Sequence, residues 1–198
     1  MRRAFDVALV LLLAPPCAVV AFVVAVVVAA NLGRPVLFRQ QRSGLHGSTF
    51  ELVKFRSMQQ AFDQAGQPLP DHLRVTRFGR LLRRSRLDEL PELWNILKGE
   101  MAFVGPRPLL PETVLGMARP GRRRGTVRPG LTGWAQINGN ALLRDEDKLA
   151  LDLWYVEHAS LRLDLLILLA TARVVLFGER ISERRVREAY ASGIDRDR

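Results

Sequence analysis

At 198 residues, 48% of them apolar, the chain is long enough for one domain with a real core and too short for two ordinary domains plus a membrane anchor. A formal charge of +10 and a pI near 11.1 exclude an acidic, self-solvating chain and point to an anionic partner: nucleic acid, an anionic membrane surface or a phosphorylated substrate. The single cysteine, Cys17, excludes an internal disulfide, and His46, His72 and His158 are scattered without metal-ligand spacing, so zinc is not expected. Only Lys54, Lys98 and Lys148 are lysines; the arginine excess suits two-pronged phosphate binding and is equally a composition bias.

From Val7 to Ala30 the sequence reads VALVLLLAPPCAVVAFVVAVVVAA, 24 uncharged residues, the length of a bilayer span. Three readings compete. A cleaved secretory signal fits poorly, because proline precedes Cys17 and the apolar run continues well past it. A simple spanning helix is opposed by Pro15 and Pro16, which remove two N–H donors in mid-membrane. A bent hairpin of two helical halves, entering and leaving on one face, agrees with Arg2 and Arg3 before the run and Arg34, Arg39 and Arg42 after it. The residues alone leave the last two open.

After a turn at 31–35, PVLFRQQR and TFELVKFRSM flank SGLHGS and predict a β-hairpin, with Phe50, Leu52, Lys54 and Arg56 on one face. QAFDQAGQPLPDH is a loop, and RVTRFGRLLRRSR a basic helical stretch. In SRLDELPELWNILKG, Leu90, Leu93, Trp94 and Leu97 follow helical spacing, Pro91 fits the first turn, and Asp88 and Glu89 fall at the helix N-terminus. There the dipole and the neighbouring Arg83, Arg84 and Arg86 favour ionised carboxylates. Simple capping explains the acids as well as chemistry does.

Gly105-Pro106-Arg107-Pro108 presents one guanidinium from a stiff loop, which suits phosphate and also describes a solvent-facing turn. RPGLTGWAQINGN predicts a short strand over WAQIN among glycines whose amides can approach an anion. Asp145–Phe177 predicts two successive helices, the second interrupted by Arg162, Asp164 and Arg173 and so placed on a membrane surface or in the core. The tail from Gly178 is a charged helix or disordered, with no assigned chemistry.

The proline-broken apolar segment, LFRQQRSG, VKFRSM, LRRSRLDELPELWNILKGEMAFVGPRP and VRPGLTGWAQING, in that order, resemble the small bacterial sugar transferases, the monotopic polyprenyl-phosphate phosphoglycosyl transferases. The resemblance covers nearly the whole chain. It implies an α+β fold with three parts. These are a proline-broken re-entrant membrane helix over 1–33, bent at Pro15 and Pro16, a catalytic domain over 34–178 on the cytoplasmic face of the bacterial inner membrane, and a charged tail over 179–198. The catalytic domain contains the small hairpin and membrane-surface amphipathic helices.

The implied reaction moves a sugar-1-phosphate from a UDP-sugar to polyprenyl (undecaprenyl) phosphate, giving UMP and a polyprenyl-diphosphate sugar, the first membrane step of glycoconjugate biosynthesis. By the same resemblance Asp88 is the nucleophile and Glu89 its dyad partner, with magnesium held at Asp88, either alone or together with Glu89. Lys54, Arg83, Arg107 and Asp164 line the substrate site. The chain departs from the family at Gly139-Asn140-Ala141, where many members have Gly-Arg-Asn, and at Asp145, where many have tryptophan. That puts substrate preference in question more than the reaction. Anionic lipids are expected partners and nucleic acid is not. The rival readings are a membrane-tethered anion-binding protein without catalysis and a lipid-diphosphate hydrolase.

Overall fold

The computed structural model describes residues 2–67 and 69–192. Pro68, in the 60–72 loop, and the end of the tail from 193 lie outside the described residues. The architecture is α+β. In chain order the elements are α1 (Arg2–Leu32), β1 (Leu37–Ser43), β2 (Thr49–Phe55), α2 (Asp71–Arg74), α3 (Arg77–Arg84), α4 (Glu92–Lys98), β3 (Ala102–Val104), α5 (Pro111–Gly116) and α6 (Ala118–Arg124). Then follow β4 (Gly130–Thr132), α7 (Trp134–Ile137), α8 (Asp145–His158), α9 (Leu161–Phe177) and α10 (Glu183–Ala191).

Helix α1 is long and apolar enough to cross a membrane by length and composition. Its assignment runs through Pro15 and Pro16, and its packing divides it into two parts. Val10, with Leu9 and Leu13, joins the main core of Ile96, Met101, Phe103, Tyr155 and Ile167. Val24 and Val28 join a second core with Phe55 and Leu82. Between these parts, Pro15, Pro16, Ala18, Val19 and Val20 are exposed. Both ends of α1 therefore dock on one body while the middle does not. Arg3 donates to the carbonyls of Ile96 and Leu97 at the end of α4, and Asp6 accepts the Phe103 amide at 3.2 Å.

The hairpin forms as expected, antiparallel, with Phe38 opposite Lys54 and Arg42 opposite Phe50. It is covered on both faces: Phe50, Leu52, Val53 and Phe55 are all buried. Strand β2 ends at Phe55; the Arg56 amide still donates to the Val36 carbonyl at 2.9 Å, and its guanidinium donates to the carbonyls of Leu32, Gly33 and Arg34 at the end of α1. That satisfies carbonyls which have no partner within the helix.

Three expectations need correction. The basic stretch is two pieces, because Thr76 accepts the Gly79 amide at 2.9 Å and starts α3 afresh. In α4 the deeply buried positions are Glu92, Asn95 and Ile96, whereas Trp94 is 58% exposed. Asn95 wins the core by bridging to β2: its Oδ1 accepts the Val53 amide and its Nδ2 donates to the Glu51 carbonyl. Finally, WAQI is a helical turn, and the strand is the preceding Gly130–Thr132, parallel to β3. Close backbone approach decides this. A Cβ at Gly130 would sit 2.1 Å from the Gly105 nitrogen, so glycine is required where the two strands touch.

The two helices expected over 145–177 are present, broken at Ala159 and Ser160, with Ser160 Oγ accepting the Leu163 amide. The charged segment after Gly178 contains α10, which packs on α8 through fully buried Ala189 and a Tyr190 hydroxyl donating to Asp147 at 3.0 Å.

Candidate active site

A cavity of about 1140 Å³ opens between the hairpin, α3, the turn before α4, and the end of α9. Eight cationic side chains line it against four carboxylates, so its field favours an anion: Arg42, Lys54, Arg56, Arg74, Arg83, Arg84, Arg86 and Arg107 against Asp71, Asp88, Glu89 and Glu179.

Arg86 adopts φ 55°, a left-handed conformation uncommon for a residue with Cβ, and the chain then makes a tight 3-10 turn over Leu87–Glu89. This turn puts Asp88 and Glu89 at the cavity, each less than a tenth exposed. Their surroundings differ. Glu89 accepts from Lys54 Nζ and from Arg107 Nη2, both at 3.1 Å, with Arg86 Nη1 at 3.5 Å. Burial pushes its carboxyl up, but Lys54, Arg107 and Arg86 together outweigh burial and hold it below the ordinary glutamate value.

Among the described residues Asp88 has no ion pair. Burial, followed by the charge of Glu89, pushes its carboxyl above the ordinary value, and Lys54 and Arg83 only partly oppose this. Arg83 favours the ionised form of Asp88, as expected, but with Lys54 it does not outweigh burial and Glu89, while Lys54, Arg86 and Arg107 pair with Glu89.

The loop carrying Arg107 is held from several sides. The Gly130 amide donates to Pro106 O and the Gly105 amide to Thr132 O, both at 2.9 Å, so these amides bind carbonyls and are not free for an anion. Arg124, in a buried ion pair with Asp152 at 2.8 Å, donates to the Arg107 carbonyl. Arg83, which also lines the cavity, donates from Nε to Ser57 Oγ at 2.9 Å.

Lys54, Arg83, Arg107, Asp88 and Glu89 are therefore brought together. Asp164 is not. It does not line the cavity, but accepts from Arg2 Nε at 2.7 Å and from the Tyr155 hydroxyl at 2.6 Å, tying α1 to α8 and α9.

Several cavity-region residues were missed. Arg42 binds the Pro108 carbonyl and Gln40 Oε1, and forms no ion pair among the described residues; burial and the neighbouring Arg107 lower its pKa. Its signal was the period-two series Phe38, Gln40, Arg42 on β1, all of which line the cavity. Glu92 lies beneath Lys54 at 2.9 Å, with its carboxyl pushed up to about 7 by burial and, after the opposing Lys54, by Glu89. Its position three residues after Glu89, one helical turn, was the available clue. Asn140, singled out in the sequence only as part of a departure from the family pattern, meets Glu179 in the cavity wall from a distant part of the chain, and Glu179 had no local signal.

For magnesium, no group of three or more His, Cys, Asp or Glu side chains is assembled among the described residues. A magnesium ion bound through one or two carboxylates, waters and substrate phosphates needs no such group, and Asp88, free of ion pairs, fits that mode.

A two-stranded hairpin and helices surround an arginine-rich cavity, with a carboxylate pair on a turn in its lining and an apolar helix docked alongside. The chain belongs to the bacterial sugar transferase family, whose model matches residues 1–178. It is 46% identical to EpsL, an uncharacterized sugar transferase of Bacillus subtilis, over 92% of this chain and 91% of that one. It is 40% identical to the undecaprenyl-phosphate glucose phosphotransferase of Komagataeibacter xylinus over 89% of this chain. To the UDP-N-acetylgalactosamine-undecaprenyl-phosphate N-acetylgalactosaminephosphotransferase of Aeromonas hydrophila it is 36% identical over 90%. The chain spans only 36% and 44% of the length of these last two relatives.

Proposed function

We propose that this protein transfers a sugar-1-phosphate from a UDP-sugar to undecaprenyl phosphate at the cytoplasmic face of the inner membrane. The observation that carries the reading is the division of labour in the dyad: Glu89 engages Lys54 and Arg107, while Asp88 faces the same cationic cavity without an ion pair among the described residues. A carboxylate attacks a diphosphate only when the developing charge is neutralised, and phosphoryl transfer is chiefly positioning plus such help.

In this reading an Asp88 oxygen bonds to the sugar-bearing phosphorus as the bridging P–O bond breaks and UMP leaves with that oxygen. An oxygen of the lipid phosphate then bonds to the same phosphorus, the acyl-phosphate P–O bond breaks, and Asp88 is restored. Arg42, Arg83 and Arg107 hold phosphate oxygens, and Glu89 fixes the tips of Lys54 and Arg107. Asp88, with Glu89 beside it, would hold magnesium. Bound there, the metal would supply positive charge that favours the ionised carboxylate and offsets charge on the phosphates.

For α1 the reading is a re-entrant membrane helix turning near Pro15 and Pro16. Its support is that both ends pack on the same body while the central residues are exposed and apolar. Anionic lipids would meet the basic surface.

The test incubates purified protein with magnesium and a panel of UDP-sugars, with and without undecaprenyl phosphate, and follows UMP and the lipid product. Acceptor-linked product is expected for at least one donor and none with Asp88→Asn. Phosphate or sugar phosphate released without acceptor would instead identify a hydrolase, and salt-sensitive binding without turnover a simple anion binder. For topology, tags at both ends are expected to be cytoplasmic; labelling of the N-terminal tag from outside intact cells sinks the re-entrant reading.

A further inference from the structure

We propose that Asn140 and Glu179 form the wall of the cavity that reads the donor's sugar, selecting an uncharged, hydroxyl-bearing sugar over an acidic one; this rests on the transferase reading above. The two residues come from segments far apart in sequence. Gly139 (φ 143°) and Asn140 (φ 43°) take positive φ after α7, and Gly178 (φ 85°) ends α9 and turns Glu179 toward them. Asn140 Nδ2 donates to Glu179 Oε1 at 2.5 Å and the Ala141 amide to Oε2 at 3.3 Å. Asparagine is among the few side chains that tolerate this backbone, so the turn and the hydrogen bond are made by one residue.

The placement ties the pair to the reacting group. Arg86 directs Nη1 to Glu89 at 3.5 Å and Nη2 to Glu179 at 4.0 Å, so one guanidinium separates the dyad from this corner. A sugar joined to the phosphorus facing Asp88 falls within that reach. The corner offers what an uncharged sugar needs: carboxylate oxygens with unused acceptor capacity for hydroxyls, an amide, and the aliphatic side chains of Leu142, Val174 and Val175 for the ring's C–H face. An acidic sugar would set its carboxylate against Glu179, while Arg86 is already engaged by Glu89.

Two relatives carry different sugars in their names, glucose and N-acetylgalactosamine, so the donor's sugar is a feature on which such sites differ.

The experiment measures kcat/KM for UDP-glucose, UDP-galactose, UDP-N-acetylglucosamine and UDP-glucuronic acid with wild type, Glu179→Gln and Asn140→Gly. The glutamine keeps the shape, and the glycine keeps the positive φ. Glu179→Gln should lower the preference for the best neutral donor over UDP-glucuronic acid about tenfold, and Asn140→Gly should compress the spread among neutral donors. Inhibition by UMP, which lacks the sugar, should not move in either. A wild type inert toward every donor overturns the transferase reading and this one with it. A wild type that turns over, with variants that keep its donor ratios, lose all donors equally or shift only the acceptor KM, overturns this inference alone.

Discussion

The ionic clusters around Asp164 and around Asp88 are built on opposite plans. At Asp164 every carboxylate oxygen is used: Oδ2 accepts from Arg2 Nε at 2.7 Å, and Oδ1 from Arg2 Nη2 at 2.9 Å and Tyr155 at 2.6 Å. At the cavity, Asp88, Glu89 and Glu92 crowd together, Glu89 and Glu92 share Lys54, and Asp88 has no ion pair among the described residues. A staple consumes its polar capacity; a binding site keeps some uncommitted. Placing Asp164 among the substrate-site residues, as the family resemblance does, merges two clusters that the fold separates.

The sharpest way to break this contrast is to change one carboxylate in each cluster. Asp88→Asn should lower kcat/KM by about 10³-fold or more while leaving the unfolding midpoint within a few degrees of wild type. Asp164→Asn should do the reverse, destabilising by roughly 1 to 2 kcal/mol, because Asp164 is buried and hydrogen-bonded while water screens the partly exposed Arg2. Thermal unfolding and turnover measured on both variants decide it. If Asp164→Asn keeps wild-type stability and loses turnover, the staple interpretation fails.

Arg107→Ala tests how much of the cavity's field comes from its stiff loop. A loss of about 10²-fold in kcat/KM is expected, with a smaller loss for Arg107→Lys, which keeps the charge but not the fork. Equal losses in the two would mean that planar geometry, not charge alone, matters.

The last effect concerns Glu92 and pH. Its carboxyl is pushed to about 7 from an ordinary 4.5, so between these values the folded chain keeps a proton that the unfolded chain has lost. That contribution to stability is complete below pH 4.5 and disappears as pH rises through about 7. Glu92→Gln is always neutral, so its stability relative to wild type should rise by on the order of 1 to 3 kcal/mol between pH 5 and pH 8. Melting curves at the two pH values check this; an unchanged difference would mean Glu92 is ionised throughout.

The sequence by itself determined the α+β class, the apolar N-terminal helix, the hairpin, the pair of helices over 145–177, and the gathering of Lys54, Arg83, Asp88, Glu89 and Arg107. The elements follow from alternation, helical spacing and punctuation by glycine and proline, all of which act over short stretches of chain, while the α+β class and the gathering of the site residues were implied by the family resemblance. Only the tertiary structure decided that Arg56 caps α1, that Asn95 and Glu92 are buried while Trp94 is exposed, that WAQI is helical, and that Glu179 meets Asn140 across 39 positions. The reason is physical: burial and ion pairing depend on which segments arrive at the same place, and a lysine chooses between two carboxylates only after the fold has set the distances.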